Sequence, residues 1–257
     1  MGVEAVREQS LRHIQKERLQ LPPNAKRCHR ISGISCHNLQ PTNQTMNLTM
    51  NSLSLHQLGR EHYQHGRYEP ARQHLQQALE TGPDHPALRR DLGNACFQVQ
   101  DYSAALEHLQ VARQAESLNP LQKAQLLEEI ARVHVAQDDC HAAKPLYNEA
   151  LDCKRSYYGK LQGSSSPSSS DNLKQQHYGY DQAVHVEIAY TLHHLGRIGH
   201  ALGQRHKARN KYAEALQMYQ VLGSPTDASE VAKDLKQLAE DMNKPDWVQH
   251  YQSLIRS

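Results

Sequence analysis

With 257 residues, 38% of them hydrophobic but including a single Trp and a single Phe, the chain has the length for one or two domains and lacks the bulky aromatics of one large globular core. The net charge of +2 is concentrated in residues 1–50, where seven basic side chains outnumber three acids, so the remainder offers no broad basic surface for nucleic acid. No apolar run is long enough to span a membrane and the N-terminus carries no apolar signal stretch, which predicts a cytoplasmic protein without membrane insertion.

Residues 1–51 read as a flexible basic tail. Val3, Val6, Leu11, Ile14 and Leu19 make a loose apolar stripe, a short helix at most, which Pro22-Pro23 ends; the polar stretch from Asn24 to Asn51 offers little to bury. Cys28-His29 and Cys36-His37 supply ligand types for zinc, but the short loop between them is a poor match to known zinc spacings, and no metal is expected. Five cysteines, an odd number without a C-x-x-C pair, fit reduced thiols better than a disulfide framework, and Cys96 falls on a core-facing helix position. The acceptor triplets at Asn43 and Asn47 lack a secretory signal, and Val6 stands where myristoylation of Gly2 would require a hydroxyl residue.

From Ser52 onward the chain repeats itself. Gly59 and Gly93 stand 34 residues apart, and the same spacing separates Tyr68 from Tyr102, Ala71 from Ala105, Leu75 from Leu109 and Ala78 from Ala112. In each copy a Leu-Gly pair lets a partner helix approach, and an Ala-x3-Leu-x2-Ala stripe at helical spacing supplies that partner. A third copy carries Ile130-Ala131 with Ala143, Tyr147 and Ala150, so residues 52–159 hold three helix pairs. Residues 160–183, with the run Gly163 to Ser170, read as a flexible insertion. Residues 184–222 form a fourth copy with Leu195-Gly196, Ala208, Tyr212 and Ala215, and residues 223–257 a degenerate pair that caps the stack.

Gly59, Gly66, Tyr68, Ala71, Leu75, Ala78 and Pro83 together resemble the tetratricopeptide repeat (TPR) superfamily, and the likeness extends from Ser52 to Ile255. The segment Ala142 to Gly159 is similar to the longer repeats of kinesin light chains and nephrocystin-3-like proteins. The resemblance implies an all-α, right-handed solenoid of antiparallel helix pairs, with first helices lining a concave groove for a peptide or protein partner. Such arrays bind; they rarely catalyse.

No chemical motif competes with that expectation. Gly196-x-x-Gly199-x-x-x-Gly203 follows a helical run and lacks the Lys and Ser/Thr of a phosphate loop, so its glycines fit helix packing better and no cofactor is expected. The 18 histidines include no H-E-x-x-H pattern, and no catalytic set can be assembled. By the resemblance, the place after each small first-helix residue, held by Arg60, Asn94, Arg132 and Arg197, faces the groove, with Tyr63, Phe97 and His194 beside it. This column is either a ladder of donors for an acidic or backbone-exposing peptide, or a solvated face whose arginines pair with Asp91, Glu128 and Glu129. The places that hold a ligand carboxylate in chaperone-binding TPR proteins carry His56, Arg60, Asp91, Gln125 and Glu129 here, and the two acids would repel such a ligand. The expected function is a non-catalytic adaptor, the alternatives being a regulatory region of a larger NTPase-containing, ciliary or motor-associated protein, or a co-chaperone, which the missing clamp disfavours.

Overall fold

The computed structural model describes the backbone of residues 43–163 and 171–256, and the side chains of 51–160 and 182–255. Contacts divide the chain into Met1–Met46 and Asn47–Ser257, and the architecture below is that of the second unit. The tail's short helix, its Cys-His pairs and the serine run at 164–170 lie outside the described residues.

Ten helices and no strand occur among the described residues: α1 (Asn43–Gln64), α2 (Tyr68–Thr81), α3 (Pro86–Gln98), α4 (Tyr102–Arg113), α5 (Pro120–Ala136), α6 (Cys140–Gly163), α7 (Asp171–Ala201), α8 (Arg205–Val221), α9 (Pro225–Asp241) and α10 (Pro245–Arg256). They pack as five consecutive pairs, the all-α solenoid that the repeat predicts. Local chemistry starts several of them. Asp101 accepts from the Ala104 amide at 3.2 Å, Asp139 from Ala142 at 2.9 Å, and Asn119 forms a reciprocal capping box with Gln122.

Every turn between first and second helix has the same geometry. One residue sits in the left-handed region, namely Gly66 (φ 72°), Gln100 (64°), Asp138 (60°), Gly203 (69°) or Asn243 (52°). The next amide bonds back five residues: Arg67 to His62, Asp101 to Cys96, Asp139 to His134, Gln204 to Gly199 and Lys244 to Ala239, at 2.8–3.0 Å. The fifth turn matches the other four, which makes α9–α10 a full repeat in backbone terms although its sequence has drifted.

Within each of the first four pairs, the small first-helix residue receives a bulky side chain 16 positions later. Leu75 fills the space at Gly59, Leu109 that at Gly93 and Tyr212 that at Gly196; Ala131 and Tyr147 hold the same two places in the third pair, both fully buried. A methyl group on Gly59 would lie 2.6 Å from Leu75 Cγ, and one on Gly196 would lie 2.5 Å from Tyr212 Cδ1. Ala71, Ala105, Ala143 and Ala208 flank these seats and are buried. Leu92 is fully buried whereas Leu58, its counterpart in the first pair, is 39% exposed, because among the described residues no earlier repeat packs on it.

The third and fourth repeats are joined by a buried charge. Lys154, 0% exposed on α6, reaches Glu128 Oε1 of α5 at 2.7 Å, and Glu187 Oε2, the Glu187 carbonyl and Thr191 Oγ1 of α7 at 3.0 Å each. Burial raises the Glu128 carboxyl above the usual range while the Lys154 charge pulls it back. Helices α6 and α7 also run further than expected into the stretch read as an insertion, to Gly163 and from Asp171.

Two outcomes are expected. Gly196→Ala should lower stability by about 1–3 kcal/mol through overpacking against Tyr212, whereas Gly159→Ala, where a methyl meets nothing within 4 Å, should be neutral or gain up to about 1 kcal/mol; urea unfolding midpoints read both. Lys154→Met leaves Glu128 buried without its partner and should cost about 3–5 kcal/mol, much of it restored by adding Glu128→Leu. An unchanged midpoint for the single variant would contradict the buried pairing.

Candidate binding face on the first helices

Helices α1, α3, α5, α7 and α9 are joined side by side by polar contacts between consecutive repeats. His56 Nε2 meets Asp91 Oδ2 at 2.8 Å, Arg90 bonds Glu129 through Nε and Nη2 at 2.8 and 2.6 Å, and His193 Nε2 meets Asp234 Oδ2 at 2.8 Å. In the first, second and fourth repeats the residue three places before the small seat thus pairs with an acid of the next first helix; in the third that place is Glu128, which bonds Lys154 and Thr191. His200 and Asp241 add another such joint at 2.6 Å. Two of these joints are copies of one another: His56 and Arg60 converge on Asp91 as His193 and Arg197 converge on Asp234, each arginine 3.7 Å from the shared carboxylate.

The acids expected to pair with the arginine column are therefore held mainly by other residues. Asp91 and Asp234 hydrogen-bond to histidines, Glu129 is bonded to Arg90, and Glu128 is bonded to Lys154. Arg60 and Arg197 lie beyond hydrogen-bond reach of Asp91 and Asp234, and Arg197 is 56% exposed. Arg132 lies over the Phe97 ring, 5.1 Å from its centre, and has no carboxylate partner among the described residues. Tyr63 accepts a hydrogen bond from Gln98 at 3.3 Å and packs edge-on against Tyr68. Asn94 is half-buried.

His194 departs from its neighbour His193. Its ring stacks on Tyr147 at 5.4 Å and 3° and tilts against Tyr190 at 4.3 Å. Burial first, then the charges of His193, Arg197, Arg132 and Lys154, push its pKa down to about 3. The imidazole is neutral at physiological pH. Burial likewise raises the Tyr147 and Tyr190 hydroxyls, so both stay protonated donors.

Sequence reading named the arginine column but passed over His56 and His193 as carboxylate partners, Arg90, Lys154 and the Tyr147–His194–Tyr190 stack. The signal, present at three of the four small seats, was a donor three places before the seat, and it becomes visible once residues of adjacent repeats are compared.

Elsewhere, a cleft of about 370 Å³ between α2 and α4 is lined by Arg72, Gln73, Gln76, Cys96 and His108. Burial pushes the Cys96 thiol up to about 11, which leaves it unreactive. No group of three or more His, Cys, Asp or Glu side chains is placed to hold a metal among the described residues. Among the described residues, no helix is long and apolar enough to cross a membrane.

The depressed His194 value fixes the sign of a pH effect. Below pH 6.5 the unfolded chain takes up a proton that the folded ring refuses, so stability falls on acidification towards pH 3 by up to about 1.4 kcal/mol per pH unit from this group. His194→Phe should flatten the decline in unfolding midpoint between pH 6.5 and 5, and an unchanged slope would show that the ring is solvated.

A sequence model described as tetratricopeptide repeat matches residues 56–120. No curated protein matches the chain in sequence. Solved structures match its fold: a Podosopora anserina putative kinesin light chain with nearly identical TPR-like repeats has TM-score 0.58 and 18% identity, covering 81% of this chain and 94% of that one. Pseudomonas aeruginosa pilF has TM-score 0.56 and 18% identity, covering 82% and 77%. MamA has TM-score 0.56 and 13% identity, covering 80% and 90%. The repeated turns and filled seats agree with that match: residues 56–120 carry tetratricopeptide repeats, and the described helices take the fold of such arrays.

Proposed function

We propose that the chain is a non-catalytic interaction scaffold whose first-helix face binds a peptide or protein segment rich in acidic side chains. The repeat fold supplies the general role of protein binding. One observation carries the finer reading: the acids on this face are bonded to His56, Arg90, His193 and Lys154, while Arg132 has no carboxylate among the described residues and Arg60 and Arg197 hold theirs only at 3.7 Å. Guanidiniums in this state can still make charge-assisted bonds to a ligand. A chaperone-tail clamp stays disfavoured, since Asp91 and Glu129 occupy its places. The thiols of Cys96, Cys140 and Cys153 are free, in keeping with a reducing, cytoplasmic setting.

Charge reversal tests the reading. Arg132→Glu or Arg197→Glu should weaken an affinity-captured partner by roughly 1.5–3 kcal/mol, about ten-fold or more, with the fold intact. Binding should also weaken as salt rises. Lys211, on the second helix α8 and 3.9 Å from Glu214, is the control; Arg72 is unsuitable because it is tied to Glu69 and approaches Asp101. Equal effects at Lys211 and Arg132 would overturn the proposal.

A further inference from the structure

Resting on that reading, we infer that the junction of the third and fourth repeats is a carboxylate-anchoring subsite, in which Arg132, Arg197, the His194 imidazole and the Tyr190 hydroxyl receive a glutamate or aspartate side chain of an acidic peptide. The argument is a count of donors against acceptors. Four carboxylates approach this junction, and each has a partner: Glu128 and Glu187 on Lys154, Asp234 on His193, Glu129 on Arg90. The donors have none to match. The buried Tyr147 hydroxyl has no hydrogen-bond partner among the described residues, the half-buried Tyr190 hydroxyl and the single N–H of the neutral His194 ring meet no carboxylate there, and Arg132 has the Phe97 ring in place of one. Arg197 holds Asp234 at 3.7 Å, too far for a hydrogen bond.

These groups converge. The charges of Arg132 and Arg197 both act on Tyr147, on Tyr190 and on His194, and Glu128 acts on the two tyrosines as well, so the guanidiniums and the Lys154-bound carboxylate lie about one cluster of rings. The cluster contributes no negative charge, since the phenols are protonated and the imidazole is neutral, and Lys154 is saturated by its own carboxylates. Tyr147 sharpens the point. Its ring fills the seat that Leu75 and Leu109 fill in the first two repeats, so packing there calls for no hydroxyl, yet Tyr147 carries one that is buried and unpartnered. Half-buried His194 lies over it and Tyr190 tilts against His194, with one imidazole N–H and one phenol O–H still able to donate. An incoming carboxylate supplies the missing acceptor and charge. A neutral amide side chain could accept one bond but would leave both guanidiniums uncompensated.

The test uses a fluorescein-labelled dodecapeptide of alternating Glu and Ala against the full chain, with a Gln-Ala dodecapeptide of the same length as reference, read by fluorescence anisotropy. The Glu peptide should bind at least about ten-fold more tightly than the Gln peptide. Arg132→Gln should weaken it by a similar factor, and His194→Phe, which keeps the stacked ring, several-fold, with unfolding midpoints confirming that both variants fold. Lys211→Gln should bind as the unaltered chain does. Equal binding of the two peptides, no binding of the Glu peptide, or unaltered binding by Arg132→Gln and His194→Phe would overturn the subsite. If Arg60→Gln weakens the Glu peptide while those two variants do not, the first-helix face survives as a binding face and this junction does not; if Lys211→Gln weakens it equally, both readings fall.

Discussion

The seating of one bulky side chain against a residue too small to resist it is the contact on which the rest of this structure depends. Leu75, Leu109 and Tyr212 occupy space that a methyl group on Gly59, Gly93 or Gly196 would need, and Tyr147 meets Ala131 at the same register. The seats set how closely each pair of helices approaches, and the left-handed turn residue with its five-residue back-bond sets where the second helix begins. Together these two constraints fix the register of each first helix against its partner. Arg60, Asn94, Arg132 and Arg197 stand one place past their seats, so their shared position follows from the packing.

Electrostatics then divides that face into neutralised joints and residual donors. Burying ionic groups costs desolvation, and the contacts between consecutive repeats offset it by bonding Asp91, Glu129, Glu187 and Asp234 to a histidine, an arginine or a lysine of the neighbouring repeat. Lys154 is the extreme case, a fully buried ammonium bridging three helices at the place where the sequence inserts its serine-rich run. Its four oxygens lie on both sides of the third second-helix, which gives a physical reason why the fourth repeat stacks in register despite the long interruption. With the acids consumed in this way, the buried Tyr147 hydroxyl beneath His194 is left without an acceptor among the described residues.

Much of the fold was legible because it is written in small residues at fixed spacing, and small residues are placed by backbone proximity. The 34-residue interval, the Ala stripes and the Leu-Gly pairs give the helix pairs and their order directly. The turns were legible where glycine takes the left-handed position, at Gly66 and Gly203; Asp138 and Asn243 are of types that enter it more readily than most but are common elsewhere, and Gln100 carries no such signal. The candidate face was half legible. Its arginines follow from register, but their pairing depends on side chains 31 to 41 residues distant, such as Arg60 with Asp91 and His193 with Asp234, and no local pattern reports that. Lys154 was hidden for a related reason: a lysine on a helix reads as solvated until three neighbours are found to enclose it.

The account places partner binding on the first helices, and hydroxyl-radical footprinting of the chain with an affinity-captured partner tests that most directly. It predicts protection at Tyr63, Phe97, Tyr190 and His194, with exposed Val111 and Val221 on the second helices labelled as in the free chain. Protection confined to Val111 and Val221, with the first-helix aromatics labelled unchanged, would contradict it.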